Sequence, residues 1–220
     1  MVKKIKLGVM LSGRGTNFQA LLDACLNPNF PAEIGLVVSN QINAPGLVRA
    51  KSSNIPSVSI PHQNYSNRRL FEDEITSKLR DAKVELVCLA GFMRILTSHF
   101  VDEWHNKIIN IHPSLLPAFK GLNTHERVLS EGVRISGCSV HYVRAEVDTG
   151  PIIIQAAVPV LPTDNPKTLS ERILLAEHEC YPLAVELIAN GNATIQNNTV
   201  ILSGNFNCSN NLINPLKIKK

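Results

Sequence analysis

The sequence predicts an α/β protein: one domain on an open twisted sheet, mainly parallel with an antiparallel C-terminal part, and helices on both faces. Three observations point there. Apolar runs of strand length, bounded by turn residues, alternate with longer segments of helical period, as parallel strands joined by crossover helices require. A glycine-rich turn closes the first apolar run and opens the first helical segment. After residue 137 the alternation gives way to two neighbouring apolar stretches separated by DTGP, the pattern of a hairpin or meander. The arrangement is Rossmann-like, and 220 residues with 44% hydrophobic content suffice for its core.

Taken in order, IKLGVML (5–11) is a strand ended by SGRGTN, and a helix follows from about Thr16 to Cys25. EIGLVVS (33–39) is the next strand, the helix from Ala44 to Ser52 the next crossover, and SVSI (57–60) a short strand. A charged helix spans about Asn67 to Asp81, mostly as a solvated face. VELVCLA (84–90) and KIINI (107–111) are strands flanking a short helix near Ser98 to Trp104. CSVHYVR (138–144) and IIIQAAVPV (152–160) supply the hairpin. The last helix runs from about Thr168 to Ala189, with Ile173, Leu174, Leu183, Val185 and Leu187 on its core side, and Pro182 is expected to kink or restart it. Residues 1–204 form the domain in this reading; the Asn-rich, basic tail from 205 to 220 is expected to be poorly ordered.

Composition excludes several classes. No apolar run reaches the roughly 18 residues of a membrane span, and MVKKIKLGVMLSGRG turns glycine-rich too early for a signal peptide, so a cytoplasmic chain is expected. Cys25, Cys88, Cys138, Cys180 and Cys208 are odd in number and never form a CxxC pair, which suggests neither disulfides nor zinc. The net charge of +4 sits at the ends: without Lys3, Lys4, Lys6, Lys217, Lys219 and Lys220, the body has 16 basic against 18 acidic residues. That balance argues against a nucleic-acid partner.

Two motifs carry chemistry. SGRGTN (12–17), between strand and helix, aims backbone N–H groups at an anion. Phe18 stands where a dinucleotide fingerprint needs glycine, and no P-loop lysine follows, so a single phosphate monoester fits, with Gly15, Thr16 and Asn17 as donors. A turn that only packs strand against helix would have the same glycines. In NIHPSLLP (110–117), Pro113 disfavours helical geometry at His112, and residues two apart on a strand share a side. Asn110 and His112 can then converge on one oxyanion, with Asp148 of EVDTGP keeping the imidazole protonated at neutral pH. The alternative is a lone histidine in a structural proline loop. His125, His141 and His178 either line a site or satisfy core hydrogen bonds, while His62, His99 and His105 are expected at the surface. A metal site from His105, His112 and His125 has unhelpful spacing.

At these residues the sequence resembles the phosphoribosylglycinamide formyltransferases, folate-dependent enzymes of purine synthesis, over about residues 5–202. The matching blocks are LSGRGTNFQALLDA (11–24), VVSN (37–40), LAGFMRIL (89–96), NIHPSLLPAFKG (110–121), GCSVHYV (137–143), VDTGPIIIQ (147–155) and AEHECYP (176–182). The resemblance implies that Asn110, His112 and Asp148 are catalytic, and that Gly15, Thr16 and Asn17 hold the substrate's 5′-phosphate. It implies that Glu177 contacts 5′-phosphoribosylglycinamide, and that Met93, Arg94, Ile95 and Leu96, with Arg68 and Asn110, serve the 10-formyltetrahydrofolate side. It also implies that the loop at Glu146–Asp148 closes over the pterin. No metal is expected, because two donors already polarise the carbonyl, and a monomer or homodimer with no membrane partner is expected. Leu174 and Arg14 depart from residues found in some relatives. Rival readings are a formyl-folate hydrolase, a tRNA formyltransferase and a non-catalytic nucleotide-binding module. The first two would carry a further domain for which this chain has no room.

Overall fold

The computed structural model describes residues 3–204. Seven strands form one sheet, and their ranges are β1 Ile5–Leu11, β2 Ala32–Ser39, β3 Ser57–Ser59, β4 Leu86–Leu89, β5 Ile108–His112, β6 Ile135–Tyr142 and β7 Ile152–Pro159. Their spatial order is β3-β2-β1-β4-β5-β6-β7. Pairing is parallel from β3 through β5 and antiparallel from β5 to β7, as the sequence pattern predicts. The helices are α1 Thr16–Cys25, α2 Pro45–Ser52, α3 Arg68–Asp81, α4 Ser98–Glu103, α5 Thr124–Ser130 and α6 Pro166–Ala189.

Period-two alternation along the central strands divides the core between the two faces of the sheet. Leu7, Val9, Leu86, Cys88, Ile109 and Ile111 join α1 and α6 in one apolar cluster. Met10, Val38, Val87, Leu89 and Ile108 join α3 and α4 in the other. Gly8 is the point where α3 comes closest: a Cβ there would meet Leu79 Cδ2 at 2.5 Å. The chain leaves β1 towards β2 and β3, then returns to build β4 and β5 on the other side. The β1/β4 boundary is therefore the topological switch point, where open α/β sheets bind ligands beyond the carboxyl ends of their strands.

Several expectations are corrected. Helix α6 is not restarted at Pro182 but runs as one helix through it. Leu183 is 44% exposed and Leu174 only half-buried, because the buried stripe runs through Leu169, Ile173, Glu177, Cys180, Ala184 and Leu187, and those two leucines flank it. Helix α5 was not predicted: it is seven residues long and buries only Thr124 and Val128, too little for a visible stripe. The hairpin of β8 (Ala193–Gln196) and β9 (Thr199–Leu202) was also missed, although Asn197 and Asn198 turn it with φ of 49° and 58°, the residue type that primed hairpin turns favour. The tail from residue 205 lies outside the described residues. No helix among them is long and apolar enough to cross a membrane.

Candidate active site

Asn110 and His112 end β5 on the face of the strand that Ile108 shares. Across the antiparallel ladder Asn110 stands opposite His141, and His112 opposite Ser139. The loop after His112 is pinned to the neighbouring strands: Ser139 Oγ donates to the Ser114 carbonyl at 2.7 Å and accepts from the Leu116 N–H at 3.0 Å. Gln155 Nε2 donates to the Leu116 carbonyl at 3.0 Å. The Leu116–Pro117 peptide is cis.

Asp148 reaches this cluster from the β6–β7 connection. Its own φ is 53°, in the left-handed region that aspartate tolerates better than most residues. Beyond it the loop passes so close to β6 that a Cβ on Gly150 would sit 1.7 Å from the Tyr142 carbonyl oxygen. Asp148 Oδ2 lies 3.3 Å from His112 Nδ1 and accepts the Gly121 N–H at 2.8 Å, while Oδ1 lies 3.6 Å from His141 Nε2. Burial pushes the Asp148 carboxyl up, but His141, the Gly121 N–H and His112 outweigh it and hold the group below its ordinary value.

His112 departs from expectation. Burial is the largest influence on its ring and lowers its pKa; the Phe119 carbonyl, 2.9 Å from Nε2, and the Asp148 carboxylate offset this only in part. The ring is therefore held below its ordinary value and not kept protonated at neutral pH. Both nitrogens face acceptors, so a formyl oxygen would have to take the place of the Phe119 carbonyl at Nε2.

His141, left open by the sequence, belongs to the cluster. Its Nδ1 donates to the Tyr142 carbonyl at 2.9 Å, and its Nε2 faces both Asn110 Nδ2 at 3.3 Å and Asp148 Oδ1 at 3.6 Å. The second amide hydrogen of Asn110 stays available. The signal for His141 was the alternation of GCSVHYV, which puts Ser139 and His141 on one side of a strand beside β5. His125 Nδ1 and His178 Nε2 are buried without a hydrogen-bond partner. Among the described residues, the histidines of the rejected metal set do not bring three donors together; the one such group is Asp73, His99 and Glu103 on the exposed α3–α4 surface, where Arg80 already pairs with Glu103 at 2.6 Å.

At the switch point Gly15 takes φ 70° and begins α1 without a side-chain cap. Thr16 is half-buried. Asn17 points inward, donating from Nδ2 to Glu177 Oε2 at 2.7 Å. Burial pushes the Glu177 carboxyl up to about 7, with the Asn17 bond opposing. One turn on, Tyr181 donates to the Leu89 and Ile109 carbonyls at 3.0 and 3.3 Å and ties α6 to the strands that carry the site. Arg14 is exposed.

Of the residues assigned to the folate side, Met93 and Ile95 are 72% and 62% exposed in the connection after β4. Leu96 is instead packed into the core beside Phe92, and Arg94 lies over the Phe71 ring at 5.8 Å. Arg68 is exposed on the first turn of α3, and Val147 is exposed beside Asp148.

Comparison with known proteins shows which family the chain resembles. The family model described as formyl transferase matches residues 5–185. The chain is 41% identical over 199 residues to the phosphoribosylglycinamide formyltransferase of Haemophilus influenzae, covering 90% of this chain and 94% of that one. It is 47% identical over 196 residues to the human trifunctional purine biosynthetic protein adenosine-3; that match covers 89% of this chain but only 19% of the longer protein's length. The crystal structure of phosphoribosylglycinamide formyltransferase from Anaplasma phagocytophilum superposes with a TM-score of 0.88 at 47% identity, over 93% of this chain and 96% of that one.

Proposed function

Because the chain belongs to the formyl transferase family, we propose that it transfers a formyl group from 10-formyltetrahydrofolate to the amine of 5′-phosphoribosylglycinamide, giving formylglycinamide ribonucleotide and tetrahydrofolate in purine (IMP) biosynthesis. The observation that carries this reading is the convergence of Asn110, His112, His141 and Asp148 at the end of β5, on the sheet edge where the glycine turn follows β1. Strands β1 and β5 are separated by β4, so their ends stand roughly 10 Å apart at ordinary strand spacing. That span suits a ribose unit with a phosphate at one end and an amine arm at the other.

In this reading the turn at Gly15, Thr16 and Asn17 holds the phosphate, and Glu177 behind it meets the ribonucleotide. Met93 and Ile95, with Arg94 between them and Arg68 on α3, face the formyl-folate. Attack forms a bond from the amine nitrogen to the formyl carbon, and negative charge grows on the formyl oxygen. Asn110 donates its free amide hydrogen to that oxygen. His112, neutral at first, takes the proton released by the amine, directly or through a water. Asp148, on Nδ1, stabilises the imidazolium so formed, while Nε2, turned from the Phe119 carbonyl, faces the reactants. The proton passes to N10 as the carbon–N10 bond breaks. Orientation of two reactants and one oxyanion site supply the rate, and no metal is invoked. We place the reaction in the cytoplasm, in a monomer or homodimer with no nucleic-acid or membrane partner.

An absorbance assay for tetrahydrofolate, run with and without the ribonucleotide, tests this. Release only when it is present supports transfer, release without it indicates a hydrolase, and no release indicates a binding module.

A further inference from the structure

Residues 91–97 run from the end of β4 to the start of α4 without helix or strand, and Met93 and Ile95 project into water. A wall made of such a segment loses affinity whenever the ligand has to order it. Two side chains outside the site described above hold it at both ends. At the start, the Met93 N–H donates to Ser12 Oγ at 2.8 Å, and Ser12 Oγ donates to Asn40 Oδ1 at 2.6 Å. The Ser12 N–H donates to the Gly91 carbonyl at 3.0 Å. One residue thus joins the ends of β1, β2 and β4, with its hydroxyl hydrogen committed to an asparagine that is 2% exposed. At the other end, Glu72 accepts the Thr97 N–H at 2.9 Å through Oε1 and the Thr97 hydroxyl through Oε2. Thr97 Oγ1 also caps α4 by accepting the Phe100 N–H at 3.3 Å. Glu72 is 1% exposed, on a helix whose other charges face water. A carboxylate is costly to bury unless it gains strong partners, and here both donors come from Thr97.

We propose that Ser12 and Glu72 are positioning residues that hold segment 91–97 as a preformed wall of the formyl-folate subsite, with Ser12 also fixing its spacing from the glycine turn that begins at Gly13. The proposal rests on the function proposed above for its ligand, but the clamp itself is measurable without turnover. Steady-state kinetics with both cosubstrates and amide hydrogen exchange are recorded for the wild type, S12A, S12T and E72L, leucine having similar bulk and no acceptor. Removing either anchor raises KM for formyl-folate roughly three- to tenfold, the scale of one hydrogen bond, and leaves KM for the ribonucleotide within about twofold. S12T keeps the hydroxyl and restores the KM for formyl-folate. Exchange at Met93 in S12A and at Thr97 in E72L quickens roughly tenfold. Unchanged exchange at both amides overturns the clamp. So do two KM values that rise together with a lowered melting temperature, which is the mark of a merely structural role. If the wild type turns over no formyl-folate, the functional reading falls, and the exchange rates alone decide whether the clamp exists.

Discussion

Replacing Glu177 with glutamine removes a charge from the least hydrated acidic position of the site while preserving shape and an acceptor for Asn17 Nδ2. Burial sets the Glu177 carboxyl at about 7, against an ordinary 4.5 that holds in the unfolded chain. Between those values the folded protein binds a proton that the unfolded chain has released, so stability falls as pH rises through that window. At about 1.36 kcal/mol for each pH unit, keeping Glu177 ionised costs the fold roughly 3 kcal/mol above pH 7. The glutamine variant carries no such cost. Its stability relative to wild type should therefore grow from near zero at about pH 4.5 to roughly 3 kcal/mol in its favour at about pH 8. Urea unfolding at three pH values across this range measures it directly. A stability difference that does not change with pH would refute the reasoning, because it would mean that the carboxyl titrates alike in the folded and unfolded chain. The same variant should bind the ribonucleotide more weakly if Glu177 meets that ligand, a trade of stability against function.

Asn110→Ala should lower kcat by something on the order of 10² to 10³, the scale of one lost oxyanion donor, and near-normal steady-state turnover would remove Asn110 from the mechanism. Asp148→Asn takes away the charge that partly offsets burial at His112, so the ring pKa, already low, should fall further; an unshifted His112 titration by NMR would count against the pairing. Gly150→Ala places a Cβ 1.7 Å from the Tyr142 carbonyl and should destabilise by at least about 1–3 kcal/mol, read as a drop in melting temperature with loss of activity, since the strand connection that carries Asp148 must move.

The sheet was legible because its strands are buried on both faces and read as apolar runs, with β1, β2, β4 and β5 found within a few residues of their observed bounds. Elements that bury little were not legible. Helix α5 offers only two buried residues, and the β8–β9 hairpin is half polar with its turn made by two asparagines. Pro182 misled for a related reason: helix α6 is held from outside, by Tyr181 on two strand carbonyls and by a long buried stripe, and that tertiary packing overrides one poor helix residue.

In the site, the residue types were readable and their electrical states were not. Spacing places Asn110 and His112 on one side of a strand, but Asp148 comes from another strand connection, and its meeting with them was only one of two readings the sequence left open. Whether a histidine beside an aspartate is charged depends on how much water both have lost, and no local pattern records that. His112 illustrates the limit: its carboxylate is where the sequence put it, yet burial outweighs the pairing. Glu72 and Glu177 make the same point from the other direction. Each stands in a helix that carries other ionisable residues, and each proves to be buried, because its position on the helix turns it inward towards a partner distant in sequence: Thr97 for one, Asn17 for the other. A buried carboxylate paired with a donor distant in sequence therefore separates Glu72 and Glu177 from the charges that merely solvate their helices, and it becomes visible only once helices are placed against strands.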